Sequence, residues 1–324
     1  MNLVNTQKEF RMTAWKVLLT DGLEENGQAL LRASAEVSNQ NNISADDLLK
    51  VIGEYDALIV RGRTKVTPAV FDAGKKLKVV GRSGVGVDNI DLNSAKAHGV
   101  TVVNAPIATT VSVAELTMAL MLSMIRDIPR GDAGLKAGKW LKKELEGVEL
   151  FQKTLGVIGF GRIGAAVAAR AAAFGMKIVG YDPLLPADQI SARGGQPASF
   201  DELLAQSDFI TLHIPLTADS KNMLNAAAFS KMKDGVRLVC AARGGVIDEE
   251  ALLAALESGK VASAALDVFA TEPPGPTPLA THPRVVGTPH IGAQTVEAQA
   301  RAAEDISSEV LAALAGQPLR WKVA

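Results

Sequence analysis

Short apolar runs rich in β-branched residues alternate with helix-like segments along almost the whole chain. The runs are four to seven residues long, and most of them are apolar at nearly every position. Such strands are typical of parallel sheets that are covered by helices on both faces. The pattern predicts strands at 15–20, 57–60, 78–81, 100–104, 155–160, 177–182, 209–214, 236–241, 262–268 and 284–288.

The segments between these runs predict helices at 46–52, 67–76, 162–174, 200–206 and 249–258. The strands fall into two groups, one before residue 105 and one after residue 154. A chain of 324 residues also exceeds what one ordinary hydrophobic core organises. We therefore predict two α/β domains.

The last part of the chain predicts a long helix, which opens in the stretch TPHIGAQTVEAQARAAEDISSEVLAALAG. If this helix returns to the N-terminal sheet, the first domain is discontinuous. We therefore predict one domain of residues 1–106 plus 291–324, and an inserted domain of residues 107–290.

A second helix is predicted near the boundary between these domains. Ser112 and Glu115 have the spacing of a capping box, and the sequence LTMALMLSMI that follows is apolar on nearly every face. Such a helix belongs either in a core or at a domain or subunit interface, and the sequence leaves both open.

Composition narrows the class of protein. Hydrophobic residues make up 48% of the chain and charged residues 21%, as in soluble globular proteins. The net charge of −1, without blocks of like charge, argues against nucleic acid as a partner. The single cysteine, Cys240, fits a reducing compartment. The longest apolar stretch, 116–125, is too short for a bilayer, and the first residues lack an apolar signal core. We expect a cytoplasmic protein that contacts no membrane.

The glycine-rich stretch GFGRIG follows one predicted strand and opens a helix. In such a turn Gly159 allows the tight bend, Gly161 lets a pyrophosphate approach the backbone, and Gly164 allows close packing of helix and strand. A second strand then ends at Asp182, whose carboxylate would accept hydrogen bonds from the ribose hydroxyls and repel a 2′-phosphate. No arginine directly follows Asp182, so the pattern predicts NAD rather than NADP. A βαβ turn without a ligand is the alternative.

Oxidation of an alcohol by NAD requires a base for the hydroxyl proton. The chain has four histidines. His98 ends a helix and His282 lies in a polar turn, so we interpret both as structural. His213 ends a strand and could line the cofactor site or pack in the core. His290 lies between the last strand and the final helix, where a side chain can face a cleft between domains.

Two other segments carry charged groups just past predicted strands. Arg243 follows the strand at 236–241, and Asp267 and Glu272 follow the next one. Ligands of open α/β sheets bind at the carboxyl ends of strands. A carboxylate beside an imidazole favours its protonated form, which suits a group that takes and returns a proton.

These motifs, in this order, resemble the D-isomer-specific 2-hydroxyacid dehydrogenase family. The segments that match are GFGRIG, YDP, AARGGVIDEEAL, ALDVFATEPP and TPHIGAQTVEAQ, with ALIVRGRTKVT, VVGRSGVGVDNIDL and VVNAP in the N-terminal part. The resemblance covers nearly the whole chain and is strongest for the D-3-phosphoglycerate dehydrogenase branch. It implies two Rossmann-like doubly wound domains with a cleft between them, NAD as cofactor, a small anionic 2-hydroxy or 2-oxo acid as substrate, no metal, and a homodimer formed through the NAD-binding domain.

The resemblance also implies roles for residues. Arg243 would bind the substrate carboxylate and polarise the C2 oxygen, His290 would exchange the proton with that oxygen, and Glu272 would hold the imidazole. Backbone N–H groups of 83–85 would form a nest for the carboxylate. The implied cofactor-binding set is Val85, Gly159, Gly161, Arg162, Ile163, Gly164, Asp182, Ile214, Pro215, Ala241, Ala242, Asp267 and Gly292. The implied substrate-binding set is Arg61, Arg82, Ser83, Gly84, Val85 and Thr109.

Several positions bear on which substrate is used. Thr109 stands where the phosphoglycerate branch commonly has asparagine, and Gln294 where serine is usual. Arg61 and Arg82 suit a phosphate, whereas Arg63 and the lysines at 142 and 143 fit a phosphate or a solvated basic surface equally well. No regulatory domain follows residue 324 in this sequence, so we expect a short form without feedback by serine.

The leading functional hypothesis is NAD-dependent oxidation of 3-phosphoglycerate to 3-phosphohydroxypyruvate, in serine biosynthesis. The alternative within enzymes is a glyoxylate or hydroxypyruvate reductase, or another D-2-hydroxyacid dehydrogenase. Formate dehydrogenase is disfavoured because that pattern has glutamine at the position of Glu272. A corepressor-like binding protein gated by NAD is the alternative from another class.

Overall fold

The computed structural model describes residues 15–324. These residues form two compact α/β units. The first unit contains residues 15–109 together with Thr295–Ala324, and the second unit contains Thr110–Gln294. Each unit is built on one parallel sheet, so the predicted fold class is confirmed.

The first unit has a five-stranded parallel sheet in the order β2-β1-β3-β4-β5. Its strands are β1 (Trp15–Leu19), β2 (Ala35–Asn39), β3 (Ala57–Val60), β4 (Val79–Arg82) and β5 (Thr101–Asn104). Its helices are α1 (Glu25–Arg32), α2 (Ala45–Val51), α3 (Pro68–Ala73), α4 (Leu92–Ala97) and, from the end of the chain, α12 (Val296–Leu314).

The final helix packs on the N-terminal sheet. Ile306 and Val310 of α12 lie in one buried cluster with Val17, Ile59 and Val79 of the strands. The residues after α12 continue along the sheet, because the Val323 N–H donates to the Val102 carbonyl at 2.8 Å. The two ends of the described chain therefore share one hydrophobic core.

The second unit has a seven-stranded parallel sheet in the order β12-β11-β10-β9-β6-β7-β8. Its strands are β6 (Thr154–Ile158), β7 (Lys177–Tyr181), β8 (Gln196–Pro197), β9 (Phe209–Leu212), β10 (Val236–Cys240), β11 (Val261–Leu266) and β12 (Val285–Gly287). Its helices are α5 (Thr110–Ile125), α6 (Ile128–Lys136), α7 (Arg162–Ala173), α8 (Ala187–Ala192), α9 (Phe200–Gln206), α10 (Ala226–Lys231) and α11 (Glu249–Glu257).

The predicted capping box at Ser112 is wrong. Helix α5 begins at Thr110, so Ser112 lies inside the helix and its side chain is buried. Glu115 is exposed and accepts a hydrogen bond from Arg170 at 3.2 Å instead. A capping box does begin α9: the Glu202 N–H donates to the Ser199 hydroxyl at 3.3 Å, and the Ser199 N–H donates to Glu202 Oε2 at 2.9 Å.

Within residues 15–324, no helix is both long and apolar enough to cross a membrane.

Candidate functional site

The predicted catalytic and cofactor-binding residues, Val85 excepted, lie in the second unit, and most follow a strand of its sheet. The glycine turn follows β6, and Asp182 follows β7. Ile214 and Pro215 come after β9, Ala241, Ala242 and Arg243 after β10, Asp267 and Glu272 after β11, and His290 and Gly292 after β12. Because all seven strands are parallel, these positions share the carboxyl edge of one sheet.

The glycine turn has the backbone that a close-lying phosphate requires. Gly159 has φ +89°, and a side chain there would collide with the His213 carbonyl. A side chain at Gly164 would overlap the Gly159 carbonyl oxygen, so both positions accept only glycine. At Gly161, by contrast, the space beside the backbone is open. A turn with one open glycine at the start of the 12-residue helix α7 fits the pyrophosphate of NAD.

Asp182 is held at this turn by its own hydrogen bonds. Its Oδ2 accepts from the Phe160 N–H at 2.8 Å, and Oδ1 accepts from the Leu184 N–H at 2.9 Å. A carboxylate has about four acceptor sites, so capacity remains for ribose hydroxyls. Arg193 reaches the same turn and donates to the Phe160 carbonyl at 2.7 Å, a contact that the sequence did not indicate.

His290 and Glu272 form a hydrogen-bonded pair. His290 Nδ1 lies 2.7 Å from Glu272 Oε2. Because an ionised carboxylate only accepts hydrogen bonds, we place the ring proton on Nδ1, which leaves Nε2 as an acceptor. Nε2 has no hydrogen-bond partner among the described residues. The His290 side chain is 47% exposed, so this nitrogen is accessible to a ligand.

Arg243 reaches the neighbourhood of this pair through a close contact between two loops. A side chain at Gly244 would overlap the Phe269 carbonyl, so glycine lets the loop after β10 lie directly against the loop after β11. The second loop is fixed by the Phe269 N–H, which donates to Glu272 Oε1 at 3.2 Å. Arg243 Nη1 donates to its neighbour's carbonyl, Ala242 O, at 2.6 Å.

The charges around Glu272 keep it ionised. Burial is the largest single influence and raises the pKa of Glu272. The hydrogen bond and charge of His290, the Phe269 N–H and the charge of Arg243 together outweigh burial, so the net pKa is lowered. The three predicted catalytic residues thus lie at the ends of three adjacent strands, β10, β11 and β12, and interact electrostatically.

Asp267 has a role that sequence reasoning missed. It is only 1% exposed, and its carboxylate accepts hydrogen bonds from the Thr288 hydroxyl at 2.6 Å and the N–H groups of Ile291 and Gly292 at 2.8 Å. Its carbonyl accepts from the His290 N–H at 2.9 Å. His290 has φ +54°, a conformation that is uncommon outside glycine. Asp267 therefore holds the strained turn that carries His290.

The other histidines make their contacts within the protein. His98 ends α4, and its ring contacts the Ser94 carbonyl at 2.8 Å and Asp72 at 3.0 Å, as predicted. His282 Nδ1 accepts from the Arg284 N–H at 3.1 Å. His213 lies beside the glycine turn with Nε2 3.0 Å from Thr211 Oγ1, and burial lowers its pKa to about 3. A half-buried ring with so low a pKa stays neutral near pH 7, which suits support of the turn rather than proton exchange.

The predicted substrate-binding residues lie in the first unit, at the carboxyl ends of β3 and β4, apart from buried Thr109 just before α5. The predicted nest needs one correction. The Ser83 N–H donates to the Val60 carbonyl at 2.9 Å and continues the sheet, so only Gly84 and Val85 keep N–H groups for that role. Arg82 folds over Gly84 and donates to the Ser83 carbonyl at 2.7 Å.

The remaining basic residues differ in their surroundings. Arg63 is tied to the protein: it donates to the Thr20 carbonyl at 2.7 Å and pairs with Asp21 at 3.0 Å. The lysines at 142 and 143 are exposed. Arg61 pairs with Glu24 through a single contact of 3.4 Å.

Comparison with known proteins places these residues in a family. Residues 118–292 match the family model described as D-isomer specific 2-hydroxyacid dehydrogenase, NAD binding domain. The chain is 50% identical over 304 residues to D-3-phosphoglycerate dehydrogenase 2, chloroplastic, of Arabidopsis thaliana, which covers 93% of this chain and 49% of the relative. It is 46% identical over 303 residues to hydroxypyruvate reductase of Thermotoga maritima, covering 92% of this chain and 98% of the relative.

A solved structure of a dehydrogenase is also similar to this chain. The D-lactate dehydrogenase of Aquifex aeolicus, complexed with NAD and lactic acid, is 32% identical with a TM-score of 0.82, and the match covers 93% of this chain and 96% of that one. The chain spans about half the length of the curated phosphoglycerate dehydrogenases it matches. It belongs to the D-isomer-specific 2-hydroxyacid dehydrogenase family, and its second unit contains the NAD-binding domain of that family.

Proposed function

We propose that this chain catalyses the NAD-dependent oxidation of D-3-phosphoglycerate to 3-phosphohydroxypyruvate, a step of serine biosynthesis. The observation that carries the proposal is the 2.7 Å pair of His290 and Glu272, which leaves Nε2 accessible, with the charge of Arg243 acting on Glu272. A base, its orienting carboxylate and a cation on one sheet edge are what oxidation of a 2-hydroxy acid requires.

The two units have different roles in this reaction. The second unit, predicted as the domain 107–290, holds NAD and supplies the catalytic groups. The first unit, predicted as 1–106 plus 291–324, supplies the groups that recognise the substrate. This division is supported by the placement of the glycine turn, Arg243, Glu272 and His290 on one sheet and of Arg61 on the other.

Each catalytic residue has a distinct task. His290 Nε2 accepts the proton of the C2 hydroxyl group and returns it in the reverse reaction. Arg243 binds the carboxylate of the substrate and polarises the C2 oxygen. Glu272 accepts the Nδ1 hydrogen bond, and so keeps Nε2 in its acceptor form and stabilises the imidazolium that proton transfer creates.

The glycine turn, Asp182 and the residues after β9, β10 and β11 would hold NAD. Bound there, NAD would supply the acceptor for the hydride that leaves C2. Asp182 orients the ribose, and Asp267 fixes the turn that presents His290.

The choice of substrate is supported by similarity to phosphoglycerate dehydrogenases over 93% of the chain and by Arg61 at the carboxyl end of β3. Hydroxypyruvate reduction is the second candidate. It is favoured by the Thermotoga relative, which matches over 98% of its own length. In both reactions the same three residues would act on a 2-hydroxy or 2-oxo acid.

A substrate panel separates these two reactions. Initial rates with NAD are measured for 3-phosphoglycerate, D-glycerate, D-lactate and glycolate, and with NADH for hydroxypyruvate and glyoxylate. We expect the highest kcat/KM for 3-phosphoglycerate among the alcohols. A higher value for D-glycerate identifies the reductase instead. NAD binding without turnover of any compound would contradict both and favour the corepressor-like alternative.

Cofactor preference tests the role of Asp182. Asp182→Ala removes the acceptor of the ribose hydroxyls and a charge that repels a 2′-phosphate, while Arg193 remains at the same turn. We expect about a 10- to 100-fold weaker Kd for NAD, because hydrogen bonds to charged groups contribute about 1.5–3 kcal/mol, and a smaller preference over NADP. Asp188→Ala, an exposed carboxylate on α8, is the control. An unchanged ratio of the Kd values for NADP and NAD would contradict the assignment.

We propose a homodimer through the second unit and a cytoplasmic location. The dimer is supported by exposed apolar side chains on α6 and the segment after it, namely Ile128, Leu135 and Trp140, which are 53%, 62% and 78% exposed. The location is supported by the one cysteine, Cys240, which is buried and free.

A further inference from the structure

The carboxyl ends of β1 and β3 form the switch point of the first unit's own sheet. In the order β2-β1-β3-β4-β5, the chain leaves β1 toward β2 on one side, and β3 lies on the other side. Crevices at such points bind ligands in open α/β sheets. Two acidic residues, Asp21 and Glu24, follow β1 at this point, and Arg61 follows β3.

The carboxylates of Asp21 and Glu24 differ in the number of hydrogen bonds that they accept. Asp21 is saturated, because it accepts from the backbone N–H groups of Arg61 at 2.8 Å and Thr64 at 3.1 Å, from the Thr64 hydroxyl and from Arg63. It is a structural residue of the turn after β3.

Glu24 is not saturated. Its Oε1 lies 3.4 Å from Arg61 Nη1, longer than an ordinary charge-assisted hydrogen bond. Its Oε2 is buried without a hydrogen-bond partner. Glu24 precedes α1, but its side chain does not cap that helix. A buried acceptor without a donor is costly for folding alone, so its retention points to a ligand.

Most of the hydrogen-bond donors of the Arg61 guanidinium are also without a partner within residues 15–324. Its guanidinium has five N–H donors, and within the described part of the chain only Nη1 has a partner, Glu24. The Arg61 and Glu24 side chains are 23% and 31% exposed, so each is partly accessible, while Glu24 Oε2 itself is buried. The ligand that complements the pair carries an anionic oxygen for Arg61 and an O–H donor for Glu24.

We infer that Glu24 determines specificity at the distal end of the substrate, by pairing with Arg61 and lowering the affinity of that position for a doubly charged phosphate relative to a hydroxyl-bearing end. The inference rests on the proposed function, in which Arg61 helps to recognise the substrate, and it adds that Arg61 acts at the phosphate end. A carboxylate so close to a guanidinium offsets its charge, and its repulsion of a dianion is twice that of a monoanion. A hydroxyl end is uncharged, so it avoids this repulsion and can donate to the Glu24 carboxylate.

The test compares Glu24→Gln with the wild type on 3-phosphoglycerate and D-glycerate. Glutamine keeps the shape and removes the charge. We expect KM for 3-phosphoglycerate to fall three- to tenfold, KM for D-glycerate to stay equal or rise, and kcat to change less than twofold. Glu24→Asp, which keeps the charge, should keep the wild-type ratio of the two KM values within twofold. Glu25→Gln, on the next residue and paired with Arg32, is the matched control and should change neither KM.

A higher KM for 3-phosphoglycerate in Glu24→Gln, or an equal shift for both substrates, would show that Glu24 only holds Arg61 in place and would overturn the inference. Calorimetric titration of each variant with 3-phosphoglycerate provides a readout without turnover. If no compound is oxidised, the proposed reaction fails, but tighter binding of 3-phosphoglycerate by Glu24→Gln still supports the inference, and unchanged or weaker binding overturns it.

Discussion

Replacement of His290 by asparagine is expected to lower kcat by about 10²–10⁴-fold, the usual contribution of a general acid or base. Asparagine retains a polar side chain but cannot take the proton from the C2 hydroxyl group. His290 lies outside the glycine turn, so Kd for NAD should change less than twofold. The measurements are steady-state rates with the preferred substrate and a fluorescence titration with the cofactor.

The control for this variant is His282→Asn, since His282 is a turn residue whose ring only accepts a backbone N–H. It should leave kcat unchanged. Glu272→Gln should lower kcat as well, but less than His290→Asn, because it removes the orienting charge and keeps the base. Turnover of His290→Asn within fivefold of the wild type would show that the proton is taken by another group.

The strands that the sequence predicted are those whose apolar runs fill a core. Residues 57–60 and 209–212 are buried at every position, and both were found with their N-terminal ends correct. The two strands that were missed, Ala35–Asn39 and Gln196–Pro197, each lie at one edge of a sheet and are largely polar, whereas the opposite edge strands, β5 and β12, have apolar runs and were predicted. Each of the missed strands forms because it pairs with a neighbouring strand, β2 with β1 and β8 with β7. The hydrophobic pattern of a short polar segment does not indicate such a pairing.

The helices that were missed are short or carry polar sequences, such as Glu25–Arg32 and Ala187–Ala192. Such helices have little propensity of their own and form because they pack on the sheet. The start of α5 was also misplaced. Ser112 and Glu115 match the spacing of a cap, but the helix begins two residues earlier, at Thr110, and Ser112 is buried within its first turn, so the spacing alone did not fix where the helix begins.

The motifs identified which residues belong to the candidate site, but not how they are held. Arg243, Glu272 and His290 lie 47 residues apart along the chain at most, and adjacent parallel strands bring them together. The sequence did not predict the contacts between loops that hold the site. These are the contacts of Asp267 with the turn after β12, of Gly244 with Phe269, and of Arg193 with the glycine turn. Each depends on the register of neighbouring strands.

Arg243→Lys is the second variant for which we expect a large effect. Lysine keeps the positive charge but presents an ammonium group instead of a planar fork, so it cannot bind a carboxylate through two parallel hydrogen bonds and reach the C2 oxygen as well. We expect kcat/KM to fall by about 10²–10³-fold, the cost of losing one well-placed donor to the reacting oxygen, with a rise in KM for the 2-hydroxy acid and little change in Kd for NAD. Arg237→Lys is the matched control, because Arg237 lies on β10, the strand that precedes Arg243, and its guanidinium lies over the ring of Phe209. If Arg243→Lys retained kcat/KM within fivefold of the wild type, charge alone would be sufficient, and the bidentate role of Arg243 would be wrong.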